Sequence, residues 1–505
     1  MQTAAKVVLN TAVLYAKILV SMAIALISVP FVLNALGASD YGLYNLIAGV
    51  VSMLAFLNNA MTVSSQRYMS VAMGGGDNEK INKIFNVSFI MHLNFAVIIA
   101  ITLEIIGMLS INRLNIEPDR VWCAHLIFQF LVVNLFSKII AVPFDAIMNA
   151  HEDMIAFSVI ELIDSGLMLT IAITLQYIHI DKLAFYGLCI ALIAIFTLLM
   201  KYVWCRTTYK RYRITLKSIK DKVLLKEMTG FAGWNLLGGL ALMGRNQGVA
   251  IVFNLFLGTL ANAAYGLANQ ISGALTQFSS TFQRAINPQL MKSEGMLNRN
   301  RLHKITYITS KFSIIALSFF AIPLLIEMED VIKIWLHDDI PPYTVQLSQC
   351  ILLLSIVTQA SIGLMSSIQA VGKIRNYQIT IAIITLINVP LSYVLLKFGL
   401  PIYSVAIGFV VIEFIALNVR IIYAKINVGI PPRQFVSNVI YPVLIIIIPS
   451  TILCLVPSFI IDDTFVRILT VSIVYGIIYL ILIWLVAFDK EERQAITLKI
   501  KNRKK

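Results

Sequence analysis

The sequence predicts an all-α integral membrane protein with about fourteen membrane-spanning helices, built as two six-helix lobes related by a pseudo-two-fold along the membrane normal, plus two C-terminal helices. Three observations predict it: an apolar composition, a series of long apolar runs between loops of contrasting charge, and a short match between the two halves. Of 505 residues, 59% are hydrophobic and 13% charged, with a mean hydropathy of +0.83. A soluble domain carries about twice that share of charge, so lipid has to solvate this surface. A hydrocarbon core of ~30 Å takes ~20 apolar residues per helix. Alternating strand-length segments do not occur, which excludes a β-barrel.

The apolar runs are 9–34, 41–72, 83–110, 120–148, 153–178, 182–203, 227–256, 261–288, 304–326, 343–370, 374–398, 401–424, 435–457 and 464–488. Several exceed ~25 residues, so tilt or protrusion beyond the bilayer is expected. The first run holds Lys17 and is too long for a cleavable signal, so it reads as a retained helix.

An even number of spans puts both termini on one side, and that side holds most of the basic residues. Segment 204–226 carries Arg206, Lys210, Arg211, Arg213, Lys217, Lys220, Lys222 and Lys226, and the tail adds Lys490, Arg493, Lys499, Lys501, Arg503, Lys504 and Lys505. Opposite segments lean acidic, as in Glu327–Asp339 and Asp462-Asp463. The positive-inside rule therefore predicts a multi-pass protein with both termini cytoplasmic. It also accounts for the excess of 40 Lys+Arg over 26 Asp+Glu without nucleic acid, since the charge is dispersed over loops and no binding module accompanies it. Five scattered cysteines and six scattered histidines show no metal-ligand spacing, so neither a metal nor a cofactor is expected.

Tyr41-Gly42-Leu43-Tyr44-Asn45 matches Tyr265-Gly266-Leu267-Ala268-Asn269, a separation of 224 residues, at the starts of the second and eighth spans. Six spans per copy is even, so the copies share orientation. The expected organisation is an N-lobe over 1–205, a basic cytoplasmic linker over 206–226, a C-lobe over 227–425, two further helices over 426–488 and a basic tail over 489–505. Two such lobes would enclose a cleft that rocking opens alternately to each side. Shared helix-packing sequence after two tight turns is the plainer explanation of the match.

Charges at membrane depth cost several kcal/mol unless they meet water or a partner, which makes them pointers to function. Lys17 lies about eight residues from the inner end of its span, ~12 Å deep. Arg245 lies about eleven residues from the outer end of its span, in a glycine-rich helix with Gly230, Gly233, Gly238, Gly239, Gly244 and Gly248. Lys138 is also deep, while Arg67 and Arg284 lie nearer the cytoplasmic ends. These five cations suit an anionic head group, because guanidinium binds phosphate bidentately. Trp234, Asn235, Asn246 and Gln247 could meet sugar beside them. Snorkelling or structural pairing is the alternative for each cation, and Lys311 and Arg420 reach the inner interface easily. Glu161 and Asp164, three residues apart on one helix face, and Glu413 are candidates for ion coupling or for pairing with Lys17 or Lys138. Catalytic constellations are missing: Gly74-Gly75-Gly76-Asp77-Asn78-Glu79-Lys80 lacks P-loop spacing. The chain does not read as an enzyme.

The sequence resembles the polysaccharide-transporter branch of the multidrug/oligosaccharidyl-lipid/polysaccharide exporter (MOP) superfamily, the Wzx-type O-antigen and capsule flippases. The residues that carry this are Leu33-Asn34-Ala35-Leu36-Gly37, Asp40-Tyr41-Gly42-Leu43-Tyr44-Asn45, Gln66-Arg67-Tyr68, Asn246-Gln247-Gly248, Phe253-Asn254-Leu255-Phe256-Leu257-Gly258 and Phe282-Gln283-Arg284-Ala285-Ile286-Asn287-Pro288-Gln289. The resemblance covers nearly the whole chain. It implies flipping of an undecaprenyl-pyrophosphate-linked oligosaccharide from the cytoplasmic to the periplasmic leaflet of a bacterial inner membrane, without cofactor. It further implies membrane lipids as partners and places the chain beside the polysaccharide polymerase and chain-length machinery. The assignment of Lys17 and Arg245 to the pyrophosphate rests on depth and charge, not on this resemblance. A cation-coupled multidrug exporter of the same superfamily is the competing reading, with Glu161 and Asp164 as its coupling site.

Overall fold

A computed structural model describes residues 2–111, 116–210, 212, 214, 221–336 and 340–488, with the side chains of 2–8, 38, 50, 52–57, 59 and 110 excepted. Within these limits every regular element is helical: α1 (Gln2–Gly74), α2 (Asn78–Ser110), α3 (Val121–Ala150), α4 (Met154–Thr174), α5 (Lys182–Thr208), α6 (Lys222–Leu257), α7 (Thr259–Gly295), α8 (Arg299–Ile326), α9 (Met328–Leu336), α10 (Thr344–Ala360), α11 (Ile362–Val371), α12 (Arg375–Lys397), α13 (Ile402–Val428), α14 (Pro432–Phe435), α15 (Tyr441–Ile460) and α16 (Thr464–Leu482). Helices satisfy every backbone group internally, which lipid demands.

Among the described residues eleven helices are long and apolar enough to cross a membrane. The number is twelve when α10 and α11, bent by 43° at their break, are taken as one span. Two of the fourteen expected spans are long helices outside that count. One is the stretch of α1 after Gly37, whose side chains are described only in part. The other is α7, where Asn262, Asn269, Gln270, Gln277 and Gln283 interrupt the apolar run. The basic linker lies partly, and the tail from 489 wholly, outside the described residues. The described start of the linker is anchored. Tyr209 stacks on His151 at 4.3 Å, and Asp153 accepts from Tyr209 Oη and Trp204 Nε1 at 2.8 and 3.0 Å.

The repeat extends through all six helices, but in a register that differs from the sequence match. Gly37 and Gly258 both take a positive φ (79° and 77°) before a long helix, and stand 221 residues apart. Those helices end at Gly74 and Gly295, again 221 apart. Asp77 and Asn298 then cap α2 and α8 in the same way, each accepting from a backbone N–H three residues on. The ends of α3 and α11 and the starts of α4 and α12 keep the separation of 221; the starts and ends of α5 and α13 are 220 apart. The Tyr-Gly-Leu match at 224 is therefore displaced by three residues, nearly one helical turn. Its apolar and amide residues fall on a similar helix face, which is what a short match between two helices preserves. Gln66-Arg67 and Gln283-Arg284 are displaced by four residues from this register, also about one turn.

The chain forms two compact units: Met1–Gly239 with Met291–Leu297, and Leu240–Leu290 with Asn298–Lys505. The core of the first unit joins α1 to α5, with Ala96, Leu103, Ala124, Ile127, Ala172 and Leu183 fully buried. At its edge a Cβ on Gly295 would lie 1.9 Å from the Val71 carbonyl oxygen, and one on Gly74 2.2 Å from that of Lys292. Glycine is what lets these backbones touch. The core of the second unit gathers Val249, Phe253, Ala261, Ala264, Leu347 and Ala406 from α6, α7, α10 and α13. Helices α15 and α16 have no counterpart in the first half. They dock on α8: Tyr475 and Tyr479, both fully buried, donate to the carbonyls of Ser318 and Ile315 at 3.2 and 3.1 Å. Arg467 pairs with Glu327 and Asp330, and Lys311 Nζ donates to the Ala487 carbonyl at 2.6 Å.

Candidate functional site

In the first unit, four helices bring charged side chains to one place. α1 supplies Lys17, α3 supplies Asp145, α4 supplies Glu161 and α5 supplies Lys201. Lys201 is 5% exposed. Its ammonium lies 2.8 and 3.1 Å from the two oxygens of Asp145 and 2.8 Å from Glu161 Oε1. The other Glu161 oxygen is 3.7 Å from Lys17 Nζ. The Phe157 ring, one turn before Glu161, lies 5.9 Å from the Lys17 ammonium and 5.5 Å from that of Lys201. Asp164 accepts from Thr197 Oγ1 at 2.8 Å, and Ser21 meets Ser165 at 3.4 Å.

Lys17 and Glu161 thus meet, as the pairing alternative anticipated, and Lys17 is not an isolated cation. Lys201 was missed. It stands two residues from the expected end of its span at 203, where a lysine snorkels freely. The helix continues to Thr208, which sinks Lys201 further along the helix. The signal that could have found it is charge parity: Asp145, Glu161 and Asp164 are too many carboxylates for Lys17 alone. Lys138 is exposed, and no ion pair joins it to Glu161 or Asp164.

Arg67 is half-buried between two rings, its guanidinium carbon 4.7 Å from the Tyr68 centroid and 4.9 Å from that of Phe231. Glu294 and Glu227 are close enough to interact with its charge. Trp234 and Asn235 are half-buried on α6, and Asn235 spends its amide on the Phe231 carbonyl at 3.0 Å.

In the second unit Arg245 is half-buried near the middle of the apolar stretch of α6. Its guanidinium donates twice to Asn246 Oδ1, at 3.1 and 3.0 Å, and no ion pair to a carboxylate involves it among the described residues. Gln247 is exposed, as is Arg284. Gly248 brings α6 against α12, where a Cβ would lie 2.7 Å from Val389. The arrangement leaves Arg245 oriented by a neutral amide and able to take an anion.

Glu413 sits in a closed pair rather than an open coupling site. Arg420 Nη1 lies 2.5 Å from Glu413 Oε1 and 3.0 Å from Ser361 Oγ, at the break between α10 and α11. Arg420 does not snorkel to the interface: it is 5% exposed and Glu413 9%. The pair ties α13 to the break of the bent span.

No family model and no curated protein matches the sequence. Solved structures do match it. A MOP superfamily transporter from Pyrococcus furiosus Vc1, described as having a binding pocket of reversed polarity that suggests a different function, superposes with a TM-score of 0.71 at 16% identity, covering 84% of this chain and 95% of that one. A multidrug resistance MATE family transporter of the MOP superfamily in its outward-facing conformation gives 0.71, 16%, 84% and 95%. A MATE point mutant gives 0.73, 16%, 84% and 96%. The chain has the fold of these transporters.

Proposed function

We propose that the chain is a flippase for lipid-linked oligosaccharides. It carries an undecaprenyl-pyrophosphate-linked repeat unit from the cytoplasmic to the periplasmic leaflet by alternating access, for O-antigen, capsule or exopolysaccharide export. In this reading it sits in a bacterial inner membrane with both termini cytoplasmic, makes no covalent bond, and works beside membrane lipids and the polysaccharide polymerase and chain-length machinery.

The observation that carries the reading is Arg245: a half-buried guanidinium far from both ends of α6, held by an amide and not by a carboxylate. A cation kept unneutralised at depth is costly, and an anionic substrate repays that cost. Arg67, stacked between aromatic rings, suits the same head group and the sugar that follows it. The fold alone leaves the substrate's charge open, since its relatives include both a multidrug transporter and one with a pocket of reversed polarity.

A cation-coupled multidrug exporter is the second reading. The observation favouring it is the set of three carboxylates, Asp145, Glu161 and Asp164, against two lysines in the first unit. A deletion strain separates the two. Lipid-linked repeat units should accumulate facing the cytoplasm, and Arg245→Ala should fail to restore surface polysaccharide at matched expression. Unchanged polysaccharide with altered drug sensitivity would instead establish the exporter.

A further inference from the structure

We propose that an anionic phosphate binds at Lys17 together with a proton taken up by Glu161, so that head-group binding and proton uptake are one event. The inference deepens, and rests on, the reading of Lys17 as a substrate-binding cation.

Lys17, Lys201, Asp145 and Glu161 are joined by direct ion pairs, and Asp164 adds a third carboxylate beside them, held by Thr197. Their links differ in strength. Lys201 is held at hydrogen-bond distance by both carboxylates, and stays paired with Asp145 whatever becomes of Glu161. The Lys17–Glu161 contact, at 3.7 Å, is the loosest of the set. Glu161 is also the most accessible member: its side chain is 29% exposed, against 19% for Asp145 and 6% for Lys201. The Lys17–Glu161 link is therefore the exchangeable one.

A phosphate at Lys17 adds negative charge to a partly buried cluster that holds three carboxylates and two lysines, leaving Lys17 shared between two anions. A proton moving from water onto the Glu161 carboxylate offsets one of the added charges. Lys17 then faces the phosphate, and Lys201 remains with Asp145. No other bond forms or breaks. The remaining groups nearby do not supply this neutralisation. Asp164 is engaged by Thr197, Lys138 on α3 is exposed, and Tyr15 on α1 and Cys205 on α5 are neutral near pH 7. A pyrophosphate diester carries two negative charges. With one proton aboard it still moves one net negative charge outward, down an inside-negative potential.

The test uses the purified full chain in lipid nanodiscs and a farnesyl-pyrophosphoryl sugar as probe, a diester with no titrating group of its own near neutral pH. Binding is followed calorimetrically in buffers of different ionisation enthalpy, which counts protons. The wild type should take up about one proton per probe, with affinity rising up to about ten-fold per unit fall in pH where Glu161 titrates. Glu161→Gln, which mimics the protonated side chain, should bind without proton uptake or pH dependence, and at pH 8 at least about ten-fold more tightly than wild type. Lys17→Gln should bind weakly at every pH. Wild-type binding without proton uptake overturns the inference, as does uptake that survives in Glu161→Gln and disappears in Asp164→Asn; both leave the flippase reading standing. A chain that binds an organic cation and no pyrophosphate probe at any pH overturns both.

Discussion

The last helix of each six-helix repeat carries a buried cation at nearly the same place, Lys201 on α5 and Arg420 on α13, each 5% exposed. Their surroundings differ. Lys201 is neutralised from two other helices, by Asp145 of α3 and Glu161 of α4, with Lys17 of α1 against the second carboxylate. Arg420 is neutralised mainly from its own helix, by Glu413 two turns earlier, and spends a further donor on Ser361 at the bend between α10 and α11. The first arrangement links four helices through one network of charges. The second is closed and ties α13 to the break of one bent span. One repeated backbone position is thus neutralised from other helices in one half and mainly from its own helix in the other.

The largest effect should come from breaking the closed pair. Glu413→Leu leaves Arg420 buried without its carboxylate and should cost about 3–5 kcal/mol, read as a drop in detergent-solubilised thermal unfolding. Glu413→Leu with Arg420→Met removes both charges and should recover most of that loss. Lys201→Met tests the other half. It strands two carboxylates, but Glu161 is partly exposed and keeps Lys17, so a smaller loss, about 2–3 kcal/mol, is expected. An equal loss at both sites would remove the contrast between the halves.

The positive-φ glycines should respond alike, since they occupy one position of the repeat. Gly37→Ala and Gly258→Ala each force a side chain into a backbone conformation with φ near 80° and should cost about 1–3 kcal/mol apiece, measurable in the same melts. A neutral result at either would show that the turn is not shared.

The smallest effect concerns the end of the first unit where Arg120 pairs with Asp40 and Asp181 at 3.0 and 2.6 Å. Burial works to raise the Asp181 carboxyl, but the Ala184 amide, the Cys123 thiol and the Arg120 guanidinium together hold it below its usual value. A lowered pKa stabilises the fold above the unfolded value, and that contribution is lost as pH falls through the folded one. Acidification below about pH 4 should therefore loosen the Arg120–Asp181 half of the clasp, whereas burial raises the Asp40 carboxyl and opposes that trend, and Arg120→Met should remove the Asp181 contribution. An unchanged acid profile in Arg120→Met would show that the clasp contributes nothing.

Much of the architecture was readable because lipid imposes a simple rule. Long apolar runs have to be helices, and the expected spans coincide with helices even where α7 is too polar to be counted among the membrane-length ones. The repeat was readable from Tyr41 to Asn45 and Tyr265 to Asn269, yet its register was not. A three-residue displacement changes a helical face little, so a short match tolerates it, whereas positive-φ glycines and helix caps do not.

The candidate site was legible one residue at a time. Sequence by itself predicted depth for Lys17, Arg245, Glu161 and Asp164, from distance along a helix of known rise. Only the tertiary structure decided that Lys17 faces Glu161, that Lys201 completes their cluster, that Glu413 is closed off by Arg420, and that Arg245 is left with an amide. Partnership depends on how helices are rotated about their axes and on which neighbours they meet, and those follow from packing between segments far apart in the chain. Helices α15 and α16 make the same point: they read as two more spans, and only the buried Tyr475 and Tyr479 show that α8 is where they dock.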